Sequence, residues 1–312
     1  MIAIEMKGRL GNQMFRYACA RKLQIERGGA DELVLGFSSM RGLDPSQGWK
    51  DSLQDFNTAP YRRSDKKIAY SEGSLAQSLA LKAYYLDAKV IRKTQDRLLF
   101  LKRQQQWAPL FTRLGMVVSD NNDFLPDLGS SKDIILDGLF ENTRFFDSIR
   151  STLLREFTPR HAPVPANAQL LERIHSTESV CISFRRGDFI SNAGYKDIFD
   201  VCGPEYYRKA VEEIKKRVEN PVFFLFSDEI DWVIENVRID GECHYETGTD
   251  PQWEKLRLMS SCKHFIIPNS TFAWWAQYLG TAQDKTVIAP SRWYNDARPS
   301  FLLTDDMIKI EV

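Results

Sequence analysis

The second half of the chain alternates short apolar runs with stretches of helical spacing, and each apolar run ends in a polar turn. Ser179–Phe184, Val222–Phe226, His264–Ile267 and Thr286–Ala289 read as buried strands. Between them, Pro204 stands at a plausible first helical position, followed by Tyr207, Val211, Ile214 and Val218 at 3–4 spacing. A further helix carries Leu256, Met259 and Cys262, and another runs over Phe272–Leu279. Strands that alternate with helices pair in parallel, because each crossover helix returns the chain to the same end of the sheet. The expectation is a doubly wound α/β sheet whose ligand sits where the strands end.

The first half opens the same way. Ile2–Met6 is a candidate strand, Gly8-Arg9-Leu10-Gly11-Asn12 a turn, and Phe15, Cys19 and Leu23 mark a helix stopped by Gly28-Gly29. Residues 31–70 are turn-rich, whereas 74–106 lack Gly and Pro and predict helices. Ile134–Leu136 reads as a short strand leading through Asp137-Gly138-Leu139-Phe140-Glu141-Asn142 to a helix ending near Phe157. Thr158–Asn167 holds three prolines without periodicity and is the linker candidate. A chain of 312 residues exceeds one hydrophobic core, so two domains are expected, 1–157 and 158–312.

With 42 basic and 42 acidic residues the formal net charge is zero, which argues against nucleic acid as a partner. The five cysteines are scattered and form no C-x-x-C pair, so reduced thiols are expected rather than zinc or disulfides. No signal peptide and no run of about 20 apolar residues is present, and a soluble cytoplasmic protein is expected. Lys82 to Arg103 carries seven basic and two acidic residues. A solvated helix face is the simpler reading there; contact with an anionic membrane surface, or with a charged acceptor such as a membrane-bound glycolipid intermediate, is the functional one.

Four strand-end turns suit a phosphate-bearing nucleotide. Gly8, Arg9, Gly11, Asn12 and Gln13 combine glycines that let backbone approach a ligand with a helix N-terminus, although a plain strand-to-helix turn is equally consistent. In Arg185-Arg186-Gly187-Asp188, adjacent arginines on extended backbone point to opposite sides, so one can face a diphosphate while the other pairs internally. Asp188 can orient a guanidinium or accept a proton. At Phe226-Ser227-Asp228-Glu229, Asp228 can accept from the N1–H and exocyclic amine of guanine, or cap a helix. Asn269, Ser270 and Thr271 precede a helix, with Trp274 and Trp275 assigned to the core. The four histidines lack ligand spacing, and neither a G-x-S-x-G elbow nor a Walker sequence occurs.

These residues, in this order, resemble the bacterial α-1,2-fucosyltransferases of glycosyltransferase family 11. The matching stretches are Gly8–Phe15, Tyr17-Ala18, Gly138–Phe146, Arg185–Phe189, Tyr206-Tyr207, Phe226-Ser227-Asp228, Leu258-Met259-Ser260, Cys262-Lys263-His264, Asn269–Trp275 and Ala289-Pro290. The resemblance implies a GT-B fold, two Rossmann-like domains facing across a cleft. The C-terminal domain would bind GDP-fucose and the N-terminal domain mainly a galactose-terminated glycan. It implies inversion at fucose with no cofactor and no divalent metal. Arg185 would hold the β-phosphate, Asp228 the guanine, and Ser270 and Thr271 the phosphates, with the Gly8–Gln13 turn closing over the sugar-phosphate. The family usually carries His where this chain has Ser183, whose hydroxyl can still bond base or ribose. Asp188 and Glu141 are the candidates for the general base that the attacking hydroxyl requires. Another GDP-sugar, a protein acceptor, or a non-catalytic GDP-sugar-binding module are the competing expectations.

Overall fold

The structure is a computed structural model that describes residues 1–94, 96–120, 126–128, 131–187, 193–296 and 298–312. It divides into two compact units, Met1–Phe157 and Thr158–Val312.

The second unit holds six parallel strands. They are β6 (Glu178–Phe184), β7 (Pro221–Ser227), β8 (Cys243–Tyr245), β9 (His264–Ile266), β10 (Val287–Pro290) and β11 (Ile308–Ile310). Their spatial order is β8-β7-β6-β9-β10-β11, the Rossmann order in which the chain winds one way from the centre and then the other. The reversal falls between β6 and β9. Val180, Ile182 and Phe184 point to one face and pack with Phe223, Leu225, Ile266 and Ile288. Helices α5 (Arg150–Glu156), α6 (Ala168–Ser176) and α7 (Ala193–Phe199) precede α8 (Pro204–Lys215), which covers that core through Tyr206, Ala210 and Ile214, as α9 (Ile230–Asn236) does through Val233. Cys181, Phe224 and Phe265, paired side by side in the ladder and out of phase with that row, are equally buried on the other face. There α10 (Gln252–Ser260) packs against β7, and α11 (Thr271–Leu279) against α10. Trp274 and Trp275 are 1% and 0% exposed, as core residues should be.

The first unit has a five-stranded parallel sheet in the order β3-β2-β1-β5-β4. Its strands are β1 (Ile2–Glu5), β2 (Leu33–Gly36), β3 (Arg62–Ser64), β4 (Met116–Ser119) and β5 (Ile134–Gly138). Helix α1 (Leu10–Glu26) is buried on most sides, and Gly28 and Gly29, both at positive φ, end it. The Gly- and Pro-free segment forms two helices, α3 (Leu75–Arg92) and α4 (Arg97–Arg113), after a one-turn α2 (Ile68–Ser71). Ser74 and Gln77 form a reciprocal capping box that starts α3, and the Asp96 carboxylate caps α4. Their inner sides, Leu81, Tyr84, Phe100 and Phe111, cover Ala3, Val34, Met116 and Ile135 of the sheet. Among the described residues no helix is long and apolar enough to cross a membrane.

Strands β2, β3, β4, β8 and β11, three or four residues each, are not evident in the sequence, and all but β2 lie at sheet edges. Leu225, in the middle of β7 and 0% exposed, tests the second core. Leu225→Ala is expected to lower unfolding free energy by about 3 kcal/mol, measured by urea denaturation.

Candidate active site

In the second unit the ladder sets the site. Phe184 pairs with Ser227, so Arg185 leaves β6 level with Asp228 leaving β7. The Arg185 guanidinium donates to Asp228 Oδ2 at 2.6 Å, and the Arg186 backbone N–H donates to Asp228 Oδ1 at 3.0 Å. A Cβ on Gly187 would lie 2.6 Å from Asp228 Oδ2, so a side chain there would push that carboxylate aside. Both Asp228 oxygens are thus engaged inside the turn. In this structure Asp228 orients Arg185 and, about one-quarter exposed, keeps a lone pair on each oxygen for a further donor. Asp188 lies outside the described residues.

The paired arginines do diverge. Arg186 donates to Glu229 at 3.1 Å and lies over the Trp232 ring, 3.3 Å from its centroid, which makes it structural. Arg185 stays about one-fifth exposed at the end of the central strand.

Two adjacent tyrosines of α8 secure the edges of the reversal point. Tyr207 stacks on Phe184 at 4.2 Å and donates to the Ser183 carbonyl at 3.1 Å. Tyr206 donates to the Ile267 carbonyl at 2.5 Å, just beyond β9. Ser183 is 8% exposed and lies within the β6–β7 ladder. Asn269 is 3% exposed and donates to the carbonyls of Phe199 and Trp293, each at 2.9 Å. Both hydrogens of its side-chain amide are spent locking the turn. Ser270 is the N-cap of α11 on extended backbone, yet its hydroxyl makes no capping bond. The first turn of this nine-residue helix, with Ser270 and Thr271 half-exposed, therefore directs N–H groups and a hydroxyl outward next to the reversal point.

Lys255 and Glu246 had no signal in the sequence. Glu246 accepts from the Ser227 N–H at 2.6 Å and pairs with Lys255 at 2.8 Å, while Lys255 donates to the Ser227 carbonyl at 2.9 Å. This ion pair grips both backbone groups of the residue before Asp228. Burial raises the Glu246 carboxyl, and Lys255 counteracts it.

In the first unit, the Gly8 turn and Glu141 follow the adjacent strands β1 and β5. Gly8 has φ +76°, and a Cβ there would meet the Asn12 side chain at 2.7 Å. Gln13, 0% exposed, donates to Gly8 and Lys50 carbonyls at 3.0 and 2.8 Å and accepts from the Ser52 N–H at 3.0 Å. Gln13 stitches two loops together, and Gly11 is buried in the first turn of α1, so neither is open to a ligand. Arg9 is partly exposed and lies over the Trp49 ring. Arg16, which sequence reasoning passed over, is 1% exposed and donates to the carbonyls of Lys7 and Asn12 at 3.1 and 3.0 Å. The signal was its place inside the apolar run Met14-Phe15-Arg16-Tyr17-Ala18-Cys19 of α1: a buried arginine must be paired.

Glu141 is 5% exposed. It follows Phe140, a bulky residue held at φ +57°, a conformation that costs about 1–3 kcal/mol. Burial pushes the Glu141 carboxyl up to about 7, against the pull of the Arg16 charge.

A model of glycosyl transferase family 11 matches residues 113–311, more than half of the chain and all of the turns just described except the Gly8 turn. The chain belongs to glycosyl transferase family 11. This family-11 chain is 28% identical over 302 residues to an alpha-1,2-colitosyltransferase of Escherichia coli, covering 94% of this chain and 92% of that one. It is 25% identical over 326 residues to the O-antigen biosynthesis glycosyltransferase WbnK of Escherichia coli, covering 98% and 99%. Galactoside alpha-(1,2)-fucosyltransferase 1 of Ateles belzebuth is 30% identical over 146 residues, 43% of this chain and 40% of that one. The crystal structure of fucosyltransferase NodZ from Bradyrhizobium matches with a TM-score of 0.52 at 12% identity, over 88% of this chain and 91% of that one. That likeness concerns the fold: α/β, GT-B-like, with two Rossmann-type units in one chain.

The elevated Glu141 pKa has a consequence for stability. A folded-state value of about 7, above the ordinary 4.5, means that the fold prefers the protonated carboxyl. The resulting stabilisation is complete below about pH 4.5 and is lost as pH rises through about 7. Glu141→Gln cannot ionise and is expected to escape that loss. Between about pH 5 and 8 the wild type should lose roughly 2–3 kcal/mol relative to the variant, measured by urea unfolding of both proteins.

Proposed function

We propose that this family-11 glycosyltransferase moves fucose from GDP-fucose to a galactose hydroxyl of a glycan, forming an α-1,2 linkage with inversion. The observation that carries the reading is Arg185, held by Asp228 at the reversal point of a Rossmann-ordered sheet, beside the N-terminus of α11. In the reaction the acceptor oxygen attacks the fucose anomeric carbon, forming the new C–O bond. The bond to the diphosphate oxygen breaks, and its electron pair stays on GDP. Negative charge therefore grows on the β-phosphate, where Arg185, Ser270, Thr271 and the helix N–H groups would meet it. Asp228 keeps the guanidinium aimed, so no reorganisation is needed as the charge develops. A fixed arginine can fill the place a divalent cation takes in other transferases, and the proposed reaction uses no metal. The hydroxyl proton goes to a general base; Glu141, raised to about 7, has a suitable affinity for it, and Asp188 is the other candidate. The second unit is assigned the donor, and the first unit the acceptor.

Arg185→Ala is expected to lower kcat/KM for GDP-fucose by about 10²–10³-fold, with Arg185→Lys intermediate because a point charge cannot replace the planar fork. Near-normal turnover by Arg185→Ala would refute the phosphate role. Turnover should persist in EDTA, and its abolition would refute the metal-free mechanism.

The alpha-1,2-colitosyltransferase relative, matched over almost the whole chain, favours a second reading in which the sugar is colitose. Colitose lacks the 3-hydroxyl of fucose, so a pocket that hydrogen-bonds that hydroxyl discriminates strongly between them. Competing the two GDP-sugars for one galactoside acceptor should give product from GDP-fucose in clear excess. Preference for the deoxy donor would transfer the assignment to colitose.

A further inference from the structure

Of the ten large apolar side chains exposed among the described residues, seven lie on α3 and α4 of the first unit. Four of them share one face of α3: Leu75, Leu79, Leu86 and Val90, exposed by 76, 55, 71 and 69%. At 3.6 residues per turn they fall within an arc of about 60°. Lys82, Lys89 and Lys93 run alongside, and Ala76 and Ala83 complete the exposed side. Among the described residues this face contains no carboxylate. Asp87, the acidic residue of α3, lies toward α4, where it pairs with Arg103 at 2.7 Å and accepts from Trp107 at 2.7 Å.

The opposite side of α3 already covers the sheet through Leu81, Tyr84 and Ala88, so the outer leucines have no part in that core. An ordinary solvated helix face carries mixed charges and few leucines. Contiguous exposed apolar surface of this kind marks a site of contact. The contact must accept leucines and be negatively charged. A second copy in a two-fold dimer fits poorly, because the face would meet itself and set lysines against lysines.

We propose that the outer face of α3 docks on an anionic lipid bilayer surface. The helix lies in the interface plane, with its leucines at the acyl boundary and its lysines among the headgroups. The positive charge is local, since the chain as a whole is neutral. The docking is independent of which donor the second unit takes.

Pelleting the full chain with phosphatidylcholine vesicles, with and without phosphatidylglycerol, tests this. Binding is expected only where phosphatidylglycerol is present, and should weaken as salt is raised. Replacing Lys82 and Lys89 by Gln should weaken it roughly fivefold per lysine. The double change Leu79→Glu and Leu86→Glu should abolish it. These positions are exposed, so circular dichroism spectra and thermal midpoints should match the wild type. If the glutamate variant melts early, the lysine variant still decides the matter. Failure to bind phosphatidylglycerol vesicles, or binding that neither pair of changes reduces, would overturn the proposal. So would a wild-type dimer in sedimentation velocity that the glutamate variant converts to monomer.

Discussion

The candidate site of the second unit depends on one ladder, the pairing of Glu178–Phe184 with Pro221–Ser227 over seven residues. Parallel pairing in this register brings Arg185 level with Asp228. A slip of one residue would reverse the facing of every side chain in β6 and send Phe184 out of the core. The buried stripe of Val180, Ile182 and Phe184 against Phe223 and Leu225 makes that slip costly. Hydrophobic packing thus holds a charged pair in place, and the pair inherits the precision of the sheet. Tyr206 and Tyr207 extend the same logic beyond the ladder, tying the two strand ends on either side of the reversal point to one helix.

Charge is placed under similar discipline elsewhere. Lys255 and Glu246 secure the backbone of Ser227 from below, and Arg16 secures the Gly8 turn through two carbonyls. Ions taken out of water in this way are costly unless their partners are fixed. Each grips a loop that carries site residues, so the loops are rigid before any ligand arrives. That is the property a transition-state charge requires, because donors that must reorganise lose part of their effect.

Much of this was legible in the residues. Gly8 and Gly187 marked the close approaches, the double arginine ended a β-rich strand, and the prolines of Thr158–Asn167 stood where one compact unit gives way to the next. The functional turns were legible because they interrupt strong patterns. Side-chain commitments were not. Gln13 and Asn269 are chemically suited to phosphate, yet each has its side-chain amide hydrogens taken by backbone carbonyls, all but that of Gly8 distant in sequence. Lys255 and Glu246 carry no local pattern at all. Hydrogen-bond saturation is a property of neighbours in space, and no spacing along the chain reports it.

By itself the sequence determined the class of fold, α/β with parallel strands, and the family, because periodicity and turn chemistry are local and survive without coordinates. It also located the polar turns at the strand ends. The tertiary structure alone decided which polar groups at those ends remain available. It turned Asp228 into the holder of Arg185, left Ser270 uncommitted as a cap, and exposed the leucine and lysine rows of α3. The physical reason is the same in each case: a side chain's role depends on what already occupies its hydrogen bonds and its surface, and only the packed chain specifies that.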